Sequence, residues 1–229
     1  MTYLALEPYV RRFWPDGILG WTRLMSGYVR DPRVGRDILM GCVFAVGLDL
    51  IELVYGLLPR YMRRPPPIPV FQSDVTALAG GASLLSTVVD TIVSGLFVAM
   101  FSVLGFVLLR LLFRRTSFAA AAFIVVLLAV QAQQIISSGT PIWIALIFQL
   151  VIVLTIATVV VRYGLLVAAI ASAIGSVLDG VPLTLSLSHW TATTSNVALA
   201  LVIGLSVFGF YASREGQPLF GKIGHMADG

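Results

Sequence analysis

The chain has 229 residues, of which 58% are hydrophobic and only 11% are charged. A soluble domain holds about a quarter charged residues, so this composition excludes an ordinary soluble fold and predicts an all-α polytopic integral membrane protein. The net charge of +4 comes from arginines clustered between hydrophobic segments, a distribution typical of cytoplasmic loops rather than of nucleic-acid binding.

The N-terminal segment, residues 1–34, is predicted to lie on the membrane surface. Its tryptophans and tyrosines alternate with arginines, and both kinds of side chain favour the lipid headgroup level. Apolar residues recur at helical spacing between Asp16 and Gly27, which predicts a short interfacial helix. A soluble linker with incidental aromatic residues is the alternative. The predicted membrane anchors are Trp14, Trp21, Arg11 and Arg12.

Six hydrophobic segments follow within residues 35–213, and each is predicted to form a membrane-spanning helix. The predicted spans cover about 37–58, 84–112, 118–136, 141–161, 164–178 and 195–213. The fifth segment is short for a span, which needs about 20 residues, so a re-entrant segment is the alternative there. Residues 214–229 form a polar tail.

The distribution of lysine and arginine predicts the orientation of these spans. With the N-terminus inside, the cytoplasmic segments hold twelve of the 15 Lys and Arg residues, and the outer loops hold only Arg60, Arg63 and Arg64. Because positive residues accumulate on the cytoplasmic side, both termini are predicted to be cytoplasmic in a multi-pass protein of the bacterial inner membrane.

Three acidic residues inside the predicted spans form the candidate polar site: Asp49 and Glu52 in the first span and Asp90 in the second. Asp49 and Glu52 share a helix face, and at 1.5 Å per residue all three are expected near the outer surface. Intramembrane acids are costly and often functional, which favours a cation- or proton-responsive site. Neutral acids that bond to nearby hydroxyl groups are the alternative.

Small and amide side chains predict where the helices meet. Small residues recur on the fifth segment as Ala168, Ser172 and Ser176 and as Ala171 and Gly175, and on the second span as Gly95 and Ala99. Such faces let helices approach closely, so the fifth segment is expected to be enclosed by the others. Glutamines in the third and fourth spans, Gln149 among them, are expected to bond between helices.

No catalytic, cofactor-binding or metal-binding residue is predicted. The two histidines, His189 and His225, lie in a loop and in the tail, and the single Cys42 lies in a hydrophobic run. The sequence has no HExxH pair and no GxxxxGK[ST] loop, motifs that metalloproteases and P-loop nucleotide-binding proteins require. The chain is therefore predicted not to be an enzyme.

Both ends of the chain resemble one family. The motifs are LALEPYVRR (4–12), WTRL (21–24), RDPRVGRD (30–37), RYGLL (162–166), SHW (188–190) and GQPLFG (216–221). They resemble the C-terminal transmembrane region of acidobacterial-type bacterial serine/threonine protein kinases. The family's catalytic domain would precede residue 1, so none of its catalytic residues can be placed on this chain. The resemblance implies a membrane module that works with a kinase domain.

Together these features predict a membrane-anchoring and sensory module without catalytic activity of its own. Its expected partners are the lipid bilayer and either a kinase domain or a second copy of the chain, with no nucleic acid and no cofactor. The alternative function is a small transporter or channel that uses Asp49, Glu52 and Asp90.

Overall fold

The structure is a computed structural model that describes residues 19–62, 80–132, 135, 140–180 and 192–214. Trp14, Arg11 and Arg12 and nearly all of the tail lie outside these residues, so the roles predicted for them stay predictions. The described part is entirely helical. Its helices are α1 (Leu19–Met25), α2 (Pro32–Tyr61), α3 (Gly81–Phe113), α4 (Thr116–Val130), α5 (Ile142–Thr158), which continues as a π-helical turn (Val159–Tyr163), α6 (Leu165–Gly180) and α7 (Ala192–Ser213).

Four of these helical stretches are long and apolar enough to cross a membrane: Pro32–Pro59, Gly81–Phe113, Ile142–Tyr163 and Thr193–Ser213. Helices α4 and α6 have 15 and 16 residues, or roughly 22–24 Å at the rise of an α-helix, against a hydrocarbon core of about 30 Å. The chain is thus a membrane-embedded helical protein with four helices of full spanning length among the described residues.

Helix α3 illustrates how these helices divide their surface. One stripe is buried among its neighbours and consists of Gly95, Ala99, Val103 and Phe106. The opposite stripe is exposed and equally apolar, and it consists of Phe97, Phe101, Leu108 and Leu112. In lipid an exposed apolar face carries no penalty, and the helix satisfies its own backbone hydrogen bonds.

Helix α6 lies at the centre of the bundle, packed against α2 on one side and α3 on the other. Ten of its residues are buried. The crossings are close: a Cβ added at Gly95 of α3 would lie 2.5 Å from the carbonyl oxygen of Ser172, and one added at Gly41 of α2 would lie 2.7 Å from Cβ of Ile170. The predicted enclosure of the fifth segment is therefore confirmed.

Contacts at the ends of the helices give their directions. Helix α6 begins where α2 begins, because Leu166 packs with Val34 and Ile38. It ends where α3 begins, because Val177 packs with Leu84. Helices α2 and α6 are therefore parallel, and α3 runs the opposite way.

The other helices continue this alternation. Helix α4 returns along α3, with the rings of Phe106 and Phe123 5.8 Å apart. Helix α5 begins at the end of α2, where the hydroxyl groups of Tyr55 and Thr140 are 3.2 Å apart. Helix α7 ends beside Gly35, near the beginning of α2. The six helices α2–α7 thus alternate in direction.

Helix α1 packs at the end of the bundle where α2 and α6 begin. Its Trp21 and Leu24 contact the cluster formed by residues of these two helices, including Val34 and Leu166. Arg23 forms an ion pair with Asp31. The backbone N–H of Arg33, which donates to Asp31, and the guanidinium of Arg23 hold the pKa of that carboxyl below its ordinary value. A helix is present where the N-terminal segment predicted one, and its position at a membrane interface stays a prediction.

Candidate functional site

A cavity of about 310 Å³ lies inside the bundle between α2, α3, the C-terminal end of α4, α5 with its π-helical turn, and α6. This volume falls at the lower limit for small-ligand pockets, which span about 300–1,000 Å³. Most of the lining is aliphatic, and the polar groups are few. The volume and the lining therefore suit a small ligand with an apolar part.

Three carboxyl groups line this cavity: Asp49 and Glu52 of α2 and Asp179 of α6. Asp49 and Glu52 lie about one turn apart on the helix and are half-buried, whereas Asp179 is exposed. The charged neighbours of Asp49 are Asp179 and Glu52. The described residues that line the cavity include no Lys, Arg or His, so the site is strongly negative whenever these groups are ionised.

The third predicted member, Asp90, is not part of the lining. It is exposed on α3, because the face of α3 that meets α6 carries Thr91 and Gly95. Successive residues on a helix are about 100° apart, so Asp90 is turned away from this face. The structure thus brings together two of the three predicted acids and adds Asp179 in the place of the third.

Asp179 was missed because the sequence Asp179–Gly180 followed by Pro182 reads as the break after the fifth segment. Its depth could have identified it. Asp179 lies 14 residues after the start of α6, and Asp49 lies 12 residues after Asp37, which corresponds to roughly 21 Å and 18 Å along parallel helices. Matching depths on parallel helices are the signal that two polar side chains can meet.

Two buried polar atoms near this region accept or donate no hydrogen bond within the described part of the chain: Oδ2 of Asp49 and Nε2 of Gln149. An unpartnered buried polar atom costs about 1–3 kcal/mol. Gln149 lies one turn before the lining residue Ile152 on α5. The hydrogen bond between helices that was expected of the Gln149 amide nitrogen is not present, so this prediction is wrong for that atom.

The small residues of α6 have two different effects. At Ser172 and Ala173 the backbone of α6 is nearly touched by Gly95. At Gly175, by contrast, an added Cβ would meet no atom within 4 Å, and Gly175 and Ser176 line the cavity. Absence of side-chain volume at these two positions leaves space between the helices instead of closing it.

The arrangement suits binding of a cationic group better than catalysis or metal coordination. No three His, Cys, Asp or Glu side chains of the described residues are placed to hold a metal ion together. A Ca²⁺ ion takes six to eight oxygen ligands. A positively charged hydrogen-bond donor, in contrast, would satisfy Oδ2 of Asp49 and balance the carboxylates.

Comparison of the chain with protein-family models, with curated proteins and with solved structures finds no match. The functional argument therefore depends on the cavity and on the helices that form it.

Proposed function

We propose that the chain is a membrane-anchoring and sensory module that crosses the bacterial inner membrane six times, with both termini in the cytoplasm and no catalytic activity of its own. The observation that carries the sensory role is the acid-lined cavity. The two helices that supply its carboxyl groups, α2 and α6, are also the helices against which α1 packs. A change in the cavity therefore has a direct route to the N-terminal segment.

Six crossings are supported by the alternating directions of α2–α7 and by the distribution of lysine and arginine. The short length of α6 does not oppose them. A helix enclosed by protein need not match the bilayer thickness, because its ends and backbone groups are covered by its neighbours rather than by lipid. Helix α4 is followed by further helical residues at 132 and 135, which brings its reach closer to that of a full span.

The route from cavity to α1 consists of packed side chains. Ala45 of α2 lines the cavity and also belongs to the buried cluster that contains Ile38 and Leu166. Trp21 and Leu24 of α1 pack against the same cluster. Packed cores resist continuous deformation, so a ligand that spreads α2 from α6 is expected to shift the seat of α1 as well.

The expected partner on the cytoplasmic side is a kinase domain, as the resemblance of the two chain ends implies, or a second copy of the chain. Helix α1 lies at the end of the bundle where α2 begins and α7 ends, which is the cytoplasmic end in the proposed orientation. The surrounding lipid bilayer is the other partner, and no nucleic acid is involved.

Filling the cavity with a side chain tests the sensory role without a ligand. The substitution Gly175→Leu places an isobutyl group where an added Cβ meets no atom within 4 Å. In lipid nanodiscs, amide hydrogen exchange of α1 should change by between about 2-fold and 30-fold, the range that corresponds to coupling free energies of 0.5–2 kcal/mol.

Gly204→Leu is the matched control. It makes the same substitution on α7, where an added Cβ also meets no atom within 4 Å and where the residue is exposed. Exchange of α1 should be unchanged in this variant. If both variants leave α1 unchanged, the cavity does not communicate with the N-terminal segment and the sensory role is wrong.

A small cation transporter or channel is the second candidate, because the cavity is lined by acids and Asp179 at its edge is exposed. A transport path must continue to the other side of the membrane. The part of the lining around Val159, Val160 and Ala168 is aliphatic. Uptake of a cation into proteoliposomes would favour this candidate over the sensory module.

A further inference from the structure

The chemistry of the cavity, which the proposed function leaves open, specifies the class of ligand. About 310 Å³ corresponds to a molecule of roughly ten non-hydrogen atoms, given a share of about 30 Å³ per water-sized group. A lipid molecule or a peptide is far larger. The occupant is therefore a small molecule that fits within the bundle.

The polar groups of the lining require a positive charge. Asp49, Glu52 and Asp179 are acidic, and the described lining residues supply no basic partner for them. The fully buried Oδ2 of Asp49 accepts no hydrogen bond from the described residues. Buried carboxylates are stabilised only when a cation or several donors accompany them. A phosphate or carboxylate ligand would instead be repelled.

The rest of the lining requires an apolar part. Away from the acids the cavity is bordered by Val98, Ile156 and Val160 together with Ala99 and Ala168. Burial of an apolar group against such side chains is favourable in proportion to the area removed from water. One ligand can satisfy both halves of the lining only if it carries its positive charge at one end and an apolar body at the other.

An ammonium group meets these requirements better than a metal ion. It offers three N–H donors on a single positive charge, so it can bond to carboxylates on two different helices. Hard divalent cations need a closely set group of oxygen ligands, and the described residues hold no group of three acids, histidines or cysteines placed for a metal.

From these observations we infer that the acid-lined cavity binds a small organic monocation, namely an amine whose ammonium group bonds to Asp49 and Glu52 and whose apolar body lies against the aliphatic lining. Asp179, exposed at the edge of the cavity, attracts the cation to the entrance. The inference rests on the proposed sensory function and names the signal that the module would detect.

The experiment measures binding of 2-phenylethylamine to the full chain in nanodiscs by calorimetry, with protein-free nanodiscs as the blank for partition into lipid. The uncharged isostere 2-phenylethanol is the matched ligand. A hydrogen bond to a charged group contributes about 1.5–3 kcal/mol, so the amine should bind roughly 10-fold to 150-fold more tightly than the alcohol.

The variants locate the site. Asp49→Asn and Glu52→Gln keep the shape of the side chains and should each weaken amine binding at least 10-fold, while binding of the alcohol changes little. Asp90→Asn, on the exposed face of α3, should leave both affinities unchanged. Gly175→Leu should abolish binding of both ligands, and Gly204→Leu should not.

Two results would overturn the inference: equal affinities for the amine and the alcohol, or an amine affinity that is the same in Asp49→Asn, Glu52→Gln and the unaltered chain. If the amine fails to bind while Gly175→Leu still alters exchange in α1, the ligand class is wrong and the sensory role stands. If the amine binds as expected while α1 does not respond to it or to Gly175→Leu, the sensory role is wrong and the site stands.

Discussion

Gly95→Ala should destabilise the bundle by about 2 kcal/mol, although alanine is the better helix former. The new Cβ would lie 2.5 Å from the carbonyl oxygen of Ser172 and 2.7 Å from Cα of Ala173. Both are backbone atoms and cannot rotate away, so α3 and α6 must separate. Overpacking of this kind costs about 1–3 kcal/mol, with a backbone contact expected at the upper end, and this exceeds the gain of about 1 kcal/mol from helix propensity.

Gly105→Ala is the control on the same helix, because an added Cβ there meets no atom within 4 Å. It has the same gain in helix propensity without the clash and should be neutral or stabilising by up to about 1 kcal/mol. Reversible unfolding in mixed micelles of SDS and a mild detergent gives both free energies. Equal stability of the two variants would mean that α3 does not cross α6 at Gly95.

Phe106→Ala should cost about 2 kcal/mol of unfolding free energy. Phe106 is 1% exposed and packs edge-to-face on Phe123, with ring centroids 5.8 Å apart. In soluble proteins a buried Phe→Ala change costs about 3–5 kcal/mol, part of which is transfer of the side chain from water. In a bilayer the unfolded side chain remains in lipid, so mainly the packing loss is felt.

Phe101→Ala, five residues earlier on α3, is its control. Phe101 is 62% exposed on the opposite stripe, and its side chain is expected to contact lipid both before and after unfolding. The same measurement should give a change of less than about 0.5 kcal/mol, as for substitutions away from packed sites. A larger loss for Phe101→Ala than for Phe106→Ala would place the wrong face of α3 in the bundle.

Composition and hydrophobic runs were sufficient to predict a helical membrane protein, because the physics involved is local. A segment of about 20 apolar residues has to satisfy its backbone internally, whatever its neighbours are. The enclosed position of α6 was also predictable. Its small residues Ala168, Ser172 and Ser176 recur every four residues, and a face without bulk is favourable only where another helix approaches it.

The membership of the acidic site was harder to predict, because it depends on how each helix is rotated. Asp90 was assigned by depth alone. The small residue Gly95, five positions later, already indicated which face of α3 is buried, and Asp90 lies about 140° from it around the helix. Asp179 was treated as a helix end. The cavity itself follows from the mutual positions of α2–α6, which no single segment of the sequence encodes.

The six crossings underlie the position of the cavity and the side on which α1 lies. They are tested by single cysteines, introduced after replacement of the one native cysteine by Cys42→Ala, and by a membrane-impermeant maleimide added to intact cells. The account predicts labelling from outside at Arg63→Cys, Gly139→Cys and His189→Cys, and protection at Ser26→Cys, Arg115→Cys, Arg162→Cys and Gly216→Cys until the membrane is opened. Labelling of Gly216→Cys from outside together with protection of Ser26→Cys would contradict it, because the chain would then cross an odd number of times.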